Sequence, residues 1–403
     1  MTGTDVLIII TFVALTLSGK IEIKTKIGWR LIVLGSFWLI SQIVTDVVRH
    51  TVFADYARGW SNIGLTLVSF CVLCTLLYGR PRRFVIVGWG LVLADLISFF
   101  FLPDDLAIDY PWKFGLSGPV TLAVALLASR QGIGPRQQTM MMGTLGILNI
   151  LLGARSIGGI SLTVALYLGL TQFMRKKTVG RTKMKTSLKV AVAISIAIGT
   201  FGIFWVYQYA ALSGILGTDA RDKYEEQSSG RYGVLLGGRT ELLSTIPAII
   251  DSPILGHGSW AKDPVYLIAE QQALALLGYR GAGKLSPEDL KEGLIPAHSY
   301  LLGAWVNAGI IGAVFWGWVW LLTVKALVRI YPGAARLLPL MAYFGFSLLW
   351  DILFSPFGLD RRSQVPYCLL LIITYYEMSM RSAVQAKADS IRRMLRPALS
   401  HGE

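Results

Sequence analysis

Apolar runs recur from one end of the chain to the other, and short charged clusters separate them. They cover positions 4–19, 31–48, 59–79, 84–102, 114–129, 139–153, 157–174, 188–212, 299–324, 337–355 and 365–380. A helix needs about 20 apolar residues to cross the hydrocarbon of a bilayer. A transmembrane barrel would instead show two-residue alternation. The pattern therefore predicts an all-α, polytopic membrane protein with about 11 spanning helices. An odd number of spans puts the two termini on opposite sides.

One stretch breaks the rhythm. Residues 213–297 lie between two long apolar runs and carry 8 Lys or Arg and 11 Asp or Glu, so they are net −3 while the rest of the chain is +17. A segment of this length in a compact chain is expected to fold on its own account. Three helical pieces are predicted in it. The first opens at Gly238-Arg239-Thr240 and carries Leu242, Leu243, Ile246, Ile249 and Ile250 mostly on one face, the pattern of an interfacial amphipathic helix. A second covers about 264–277. A third begins at Ser286-Pro287-Glu288-Asp289, a capping serine followed by proline and acids in the first turn. The expected organisation is an N-terminal bundle of about eight spans (1–212), the loop unit (213–297), a C-terminal bundle of about three spans (298–380) and a basic tail (381–403).

Composition agrees with a membrane protein. Of 403 residues, 54% are hydrophobic and 15% charged, against about 25% charged in soluble domains. The net charge of +14 does not read as a nucleic-acid footprint, because the basic residues cluster at the ends of apolar runs, where they set topology and meet lipid headgroups. With the N-terminus outside, one face takes 24 Lys and Arg and the other takes 6 outside the long loop. The positive-inside rule then puts the N-terminus and residues 213–297 on the extracytoplasmic side and the C-terminus in the cytoplasm. The first run is not a cleavable signal, since its positive charges follow it. Cys71, Cys74 and Cys368 fall within apolar runs and read as core packing.

Three residues stand out, all on the outer face in this topology: Arg155 after the sixth run, Arg239 at the start of the amphipathic piece, and His298 just before the ninth run. An arginine is a permanent charge with a fork of donors matched to phosphate oxygens. A histidine accepts a proton near neutral pH. Together they suit a reaction whose leaving group is a lipid diphosphate. Each also has a plainer reading: Arg155 as a snorkelling anchor, Arg239 as a local partner of Glu241 or Asp251, His298 as a residue leading into a helix, and His257 as part of a glycine turn. Arg361 and Arg362, in the last outer loop, read either as phosphate contacts or as topology anchors. Asp46, Asp95, Asp351 and Glu377 lie inside apolar runs, where charge is costly and faces the bundle interior. Of these, Asp46 and Asp351 sit near the outer ends and could orient the arginines. The four histidines (His50, His257, His298 and His401) show no metal-ligand spacing, so no metal or other cofactor is expected.

Gly238-Arg239-Thr240-Glu241, then Asp251-Ser252-Pro253-Ile254-Leu255-Gly256-His257-Gly258, then His298-Ser299-Tyr300-Leu301 leading into Ala308-Gly309-Ile310-Ile311-Gly312, resembles the signature of the O-antigen ligase and polymerase superfamily. The likeness covers about 238–312. Ala154-Arg155-Ser156 matches the family's earlier arginine but not its neighbours. The resemblance implies an enzyme of the bacterial inner membrane that moves a glycan from undecaprenyl diphosphate to an acceptor hydroxyl at the periplasmic face, with inversion and without a metal. Arg155 and Arg239 would hold the donor diphosphate, with Arg361 and Arg362 as further contacts. His298 would act on the acceptor, and Asp46, Asp351, Tyr300 and His257 would support the site. The acceptor is the next lipid-linked repeat unit in a polymerase of O-antigen or exopolysaccharide, or lipid A–core in a ligase of lipopolysaccharide. We favour the polymerase. A flippase and a chain-length regulator are the implied partners, alongside membrane lipids and no nucleic acid. The rival from another class, a lipid or glycolipid transporter, would carry paired broken helices and an internal repeat, and no repeat is evident in the chain.

Overall fold

The structure is a computed structural model that describes residues 3–177, 194, 199, 201–202, 204–283, 285–329, 337–359 and 361–399. It is helical, and among the described residues it contains no β-strand, only an isolated bridge between Lys262 and Leu294. The principal helices are α1 (Gly3–Leu17), α2 (Lys26–Val48), α3 (Phe53–Leu77), α4 (Pro81–Phe101), α5 (Ser117–Ala128), α6 (Pro135–Leu151), α7 (Arg155–Lys177), α8 (Thr218–Ser228), α9 (Leu242–Asp251), α10 (Pro264–Leu276), α11 (Tyr300–Ala308), α12 (Ile310–Val328), α13 (Leu338–Phe354) and α14 (Arg361–Leu399). Five of them (α2, α3, α4, α7 and α12) are long and apolar enough to cross a membrane. The protein is an all-α membrane protein. About half of the expected run 188–212, and the basic stretch 178–189 before it, lie outside the described residues.

The chain forms two compact units. One comprises 1–78, 205–322 and 348–370; the other comprises 79–204, 323–347 and 371–403. In the second unit α6 and α7 form a tight antiparallel pair, with α4 and α5 packed together. Gly146 and Gly158 allow the α6–α7 approach, because a Cβ on Gly146 would sit 2.7 Å from Leu162 and one on Gly158 would sit 2.8 Å from the Gly146 carbonyl oxygen. A polar thread also runs through this unit. The Trp112 indole donates to Asn149 Oδ1 at 3.0 Å, and the Asn149 amide donates to Thr121 Oγ1 at 3.0 Å.

The first unit holds the connecting segment, and local sequence signals account for its helix starts. Asp263 caps α10 by accepting from the Val265 amide, with Pro264 in the first helical position. Ser286 and Asp289 form a reciprocal capping box on the short helix Pro287–Glu292. Both match the sequence expectation. The first predicted piece instead starts at Leu242, after a separate turn of helix at Gly233–Gly237, and α8 lies upstream of all three expected pieces.

The largest departure is at the run 299–324. It is two helices, α11 and α12, interrupted at Gly309, whose φ of +68° and ψ of −163° end α11. The apolar pattern alone carries no mark of this break, because both halves are apolar. The reason is tertiary: the turn 254–258 occupies the space where a continuous helix would pass. A Cβ on Gly309 would lie 1.8 Å from the Ile254 carbonyl oxygen, and one on Gly256 would lie 2.7 Å from the Gly309 nitrogen. The carbonyls freed by the break find new partners. The His257 amide donates to Val306 O at 2.7 Å, the Gly258 amide to Asn307 O at 3.1 Å, and Ser41 Oγ of α2 to Ala308 O at 2.8 Å.

Gly309→Ala is therefore expected to destabilise the first unit by about 3 kcal/mol, through a strained backbone and a collision with the Ile254 carbonyl. Gly317→Ala, at a helical position with open space around it, is expected to be neutral or slightly stabilising. Heat-induced reaction of the buried thiols Cys74 and Cys368 with a fluorescent maleimide in detergent reads both. Equal midpoints for the two variants would contradict this account.

Candidate functional site

Arg239 follows the Gly233–Gly237 turn, and its amide closes that turn by donating to Leu236 O at 2.8 Å. Its guanidinium reaches the C-terminal end of α13, where the last carbonyls of a helix lack partners within the helix and attract cations. Nη1 donates to Phe354 O at 3.2 Å, and the group lies 4.4 Å from the Phe354 ring centroid and 5.7 Å from that of Trp350. Glu241 Oε1 is 3.5 Å from Nη1, an ion pair whose two side chains are 23% and 15% exposed. The guanidinium is thus held by aromatic rings, a helix end and Glu241, and 23% of the side chain remains exposed.

His298 is placed by its neighbour. Ser299 caps α11 by accepting from the Leu302 amide at 3.0 Å, and its hydroxyl donates to Ile352 O of α13 at 2.8 Å. The start of α11 is therefore tied to the same helix end that holds Arg239. The result is a pocket lined by Arg239, Glu241, Thr245, His298, Leu302 and Leu353, among others. The histidine is exposed there, whereas Ser299 beside it is buried.

One acid near this pocket escaped the sequence reading. Glu270, on α10, is 7% exposed and accepts from Ser244 Oγ at 2.7 Å, directly behind the α9 residues that line the pocket. Burial raises its pKa above the usual carboxylate range. Hydrogen bonds from Ser244 and Thr240 oppose that rise, Glu241 adds to it, and His298 lowers it. The signal for it was present: a lone acid within the apolar stretch Tyr266-Leu267-Ile268-Ala269-Glu270 of an otherwise solvated segment.

The other expected site residues take different places. Asp46, 2% exposed, receives the Ser259 amide at 2.6 Å, Ser259 Oγ at 2.7 Å, the Trp60 indole at 2.7 Å and the Gln42 amide at 3.4 Å. It fastens the glycine turn to α2 and α3 and orients no arginine. Arg49 completes that fastening, donating to Gly256 O at 3.0 Å and Ser252 Oγ at 2.7 Å. His257 is bonded through Nε2 to Ala248 O at 2.6 Å and packs edge-on against Tyr266, which makes it part of the turn, as its plainer reading had it. Tyr300 is fully buried against Trp316 and Phe357 and does not line the pocket.

Asp351 accepts from Ser355 Oγ at 2.7 Å and lies 4.0 Å from Arg361, whose side chain is 36% exposed. The expected pairing of Asp351 with an arginine is thus seen with Arg361. Arg362 does not fit a phosphate contact. It is 4% exposed, ion-paired with Asp5 at 3.0 Å and bonded to Leu359 O, because a guanidinium buried this deeply needs a carboxylate beside it. Arg155 belongs to the second unit, where it opens α7 after Gly153 at φ +84°. Among the described residues, no group of three or more His, Cys, Asp or Glu is arranged to hold a metal ion.

No protein family, curated protein or solved structure matches this chain. The functional reading therefore stands on the site itself.

A carboxylate whose pKa is raised on folding contributes its stability below the unfolded value and loses it as pH climbs through the folded one. Glu270→Gln, which keeps an oxygen for Ser244, is thus expected to gain thermal stability relative to the parent chain as pH rises from the usual carboxylate range through the raised pKa of Glu270. A difference in melting midpoint that is constant across this range would show that Glu270 is not the titrating group.

Proposed function

We propose that the protein is a glycosyltransferase of the bacterial inner membrane that moves a glycan from undecaprenyl diphosphate to an acceptor hydroxyl. The observation that carries this reading is the meeting of Arg239 and His298 in one pocket at the end of α13. In the reaction the acceptor oxygen forms a bond to the anomeric carbon while the bond from that carbon to the diphosphate oxygen breaks. The electron pair leaves with the diphosphate, and the acceptor proton passes to His298. Arg239 offers its guanidinium to the charge growing on the leaving group, which is where a fixed cation accelerates such a step. A single displacement of this kind inverts the sugar carbon. Arg361 is proposed as a further diphosphate contact.

The proposal takes the topology from the charge distribution. Eleven spans place the N-terminus and the segment 213–297 in the periplasm and the basic C-terminal tail in the cytoplasm. Leu302 and Leu353 on the pocket wall suit the isoprenoid part of the donor. The acceptor is proposed to be the next lipid-linked repeat unit, which makes the enzyme a surface-polysaccharide polymerase, with a flippase and a chain-length regulator as its working partners. The broken helix at Gly309 does not favour the transporter reading. The carbonyls that a transporter would aim at an ion are here bonded to His257, Gly258, Gln42 and Ser41.

Arg239→Ala and His298→Ala are each expected to lower glycan polymer at least about 100-fold in the native host, the size of effect seen when one transition-state donor is removed. Arg239→Lys keeps the charge but loses the fork, and is expected to fall between parent and Arg239→Ala. Gel electrophoresis of surface glycan reads product, and membrane fractionation reads insertion. Normal glycan in both alanine variants would refute the assignment. A deletion strain that keeps core bearing one repeat unit supports the polymerase, whereas bare core with lipid-linked polymer assigns the ligase instead.

A further inference from the structure

Helix α9 is apolar on the side that faces away from the protein as well as within it. Its inward face mixes small, polar and apolar residues: Ser244, Thr245 and Ala248 are fully buried, with Ser244 bonded to Glu270 and Thr245 bonded to Pro296 O, and Ile249 packs with Ala248 in a buried cluster. Its outward face is isoleucine: Ile246 is 47% exposed, Ile250 69%, and Ile254 in the turn beyond it 76%. A solvated amphipathic helix keeps its outward face polar. Exposed apolar side chains grouped on one flank mark a surface that something apolar covers.

The surroundings identify the cover. The Ile254 carbonyl oxygen packs on Gly309, so this flank of α9 lies beside the first turn of α12, a helix apolar and long enough to cross the membrane. That turn continues the apolar surface with Ile310, Ile311 and Val314 exposed. On the other side, Arg49 ties Ser252 and Gly256 to the end of α2, another crossing helix, whose Ile40, Val44 and Val47 form an exposed stripe. Trp305 sits at the joint, its indole N–H donating to Pro253 O at 2.8 Å. An amphipathic ring with its donor satisfied is typical of the boundary between headgroups and acyl chains.

We infer that α9 is seated in the bilayer, with Ile246, Ile250 and Ile254 among the acyl chains, so that one helix separates lipid from the pocket holding Arg239 and His298. The same helix serves both sides: Leu242 and Thr245 line the pocket while Ile246 and Ile250 face away from the protein. Lipid seating of α9 does not rest on the glycosyltransferase reading and stands if that reading fails.

The test uses the unaltered full chain in phosphatidylethanolamine–phosphatidylglycerol vesicles that contain a phospholipid with a photoactivatable diazirine in its acyl chain. After illumination and trypsin, label is expected on the peptide Thr240–Lys262 as well as on α12, and none above background on the exposed helix Pro287–Glu292. Label on α12 with none on Thr240–Lys262 would overturn the inference. A nitroxide at Ile250→Cys, with Cys71, Cys74 and Cys368 replaced, gives a second reading. Relaxation dominated by lipid-soluble oxygen supports seating in the bilayer. Relaxation dominated by a water-soluble nickel chelate refutes it, and so does spin–spin broadening between copies, which would assign the face to a dimer.

Discussion

The first unit depends on a helix that stops at Gly309 so that a turn can sit where its next residues would have been. Stopping a helix inside a membrane protein strands backbone carbonyls, and without water they must be bonded within the protein. Here the amides of His257 and Gly258 take Val306 and Asn307, while Ser41 and Gln42 reach across from α2. The turn is in turn locked by a buried carboxylate, Asp46, which receives the Ser259 amide and hydroxyl together with the Trp60 indole. Gly59 on α3 makes room for that lock, since a Cβ there would lie 2.0 Å from Ser259 Oγ. Loss of any one part leaves a buried polar group unsatisfied, which costs about 1–3 kcal/mol and more for a charge.

This anchoring is what gives the pocket a fixed shape. The turn follows α9, and α9 begins immediately after Glu241, so holding the turn in place holds the strip that carries Arg239 above the end of α13. Ser299 ties the other side of the pocket to the same helix end. Two cationic or proton-accepting groups, Arg239 and His298, and two acids, Glu241 and Glu270, then share one small region. Glu241 stays beside the arginine, while burial favours the protonated form of Glu270. The guanidinium of Arg239 is already aimed by rings and backbone, with little left to reorganise.

The sequence showed the helical membrane architecture because apolar runs and charge clusters obey bilayer thickness directly. It also showed the helix starts near Pro264 and at Ser286, where the signals are a local matter of three or four residues. What it hid were effects of distant partners. The run 299–324 looked continuous because Gly309 differs from a tolerated helical glycine only through the Ile254 carbonyl against it. Asp46 looked like a partner for arginine because a buried carboxylate announces that it needs donors without saying which ones. Arg362 looked available because nothing nearby in sequence pointed to Asp5 as its partner. Glu270 was overlooked since its burial depends on how α10 packs against α9. Arg239 and His298 stood out through the motif resemblance over 238–312 and their place on the outer face, since basic residues at the edges of apolar runs are common in this chain.

The central claim is that the turn is bonded into the break of the α11–α12 helix, and amide hydrogen exchange measures this most directly. In the full chain in lipid nanodiscs, the amides of His257, Gly258 and Ser259 are predicted to exchange as slowly as those of the middle of α12, and Asp46→Asn is predicted to release them together. Exchange of these three amides in the parent chain as fast as that of the exposed residues around Pro287–Glu292 would contradict the account.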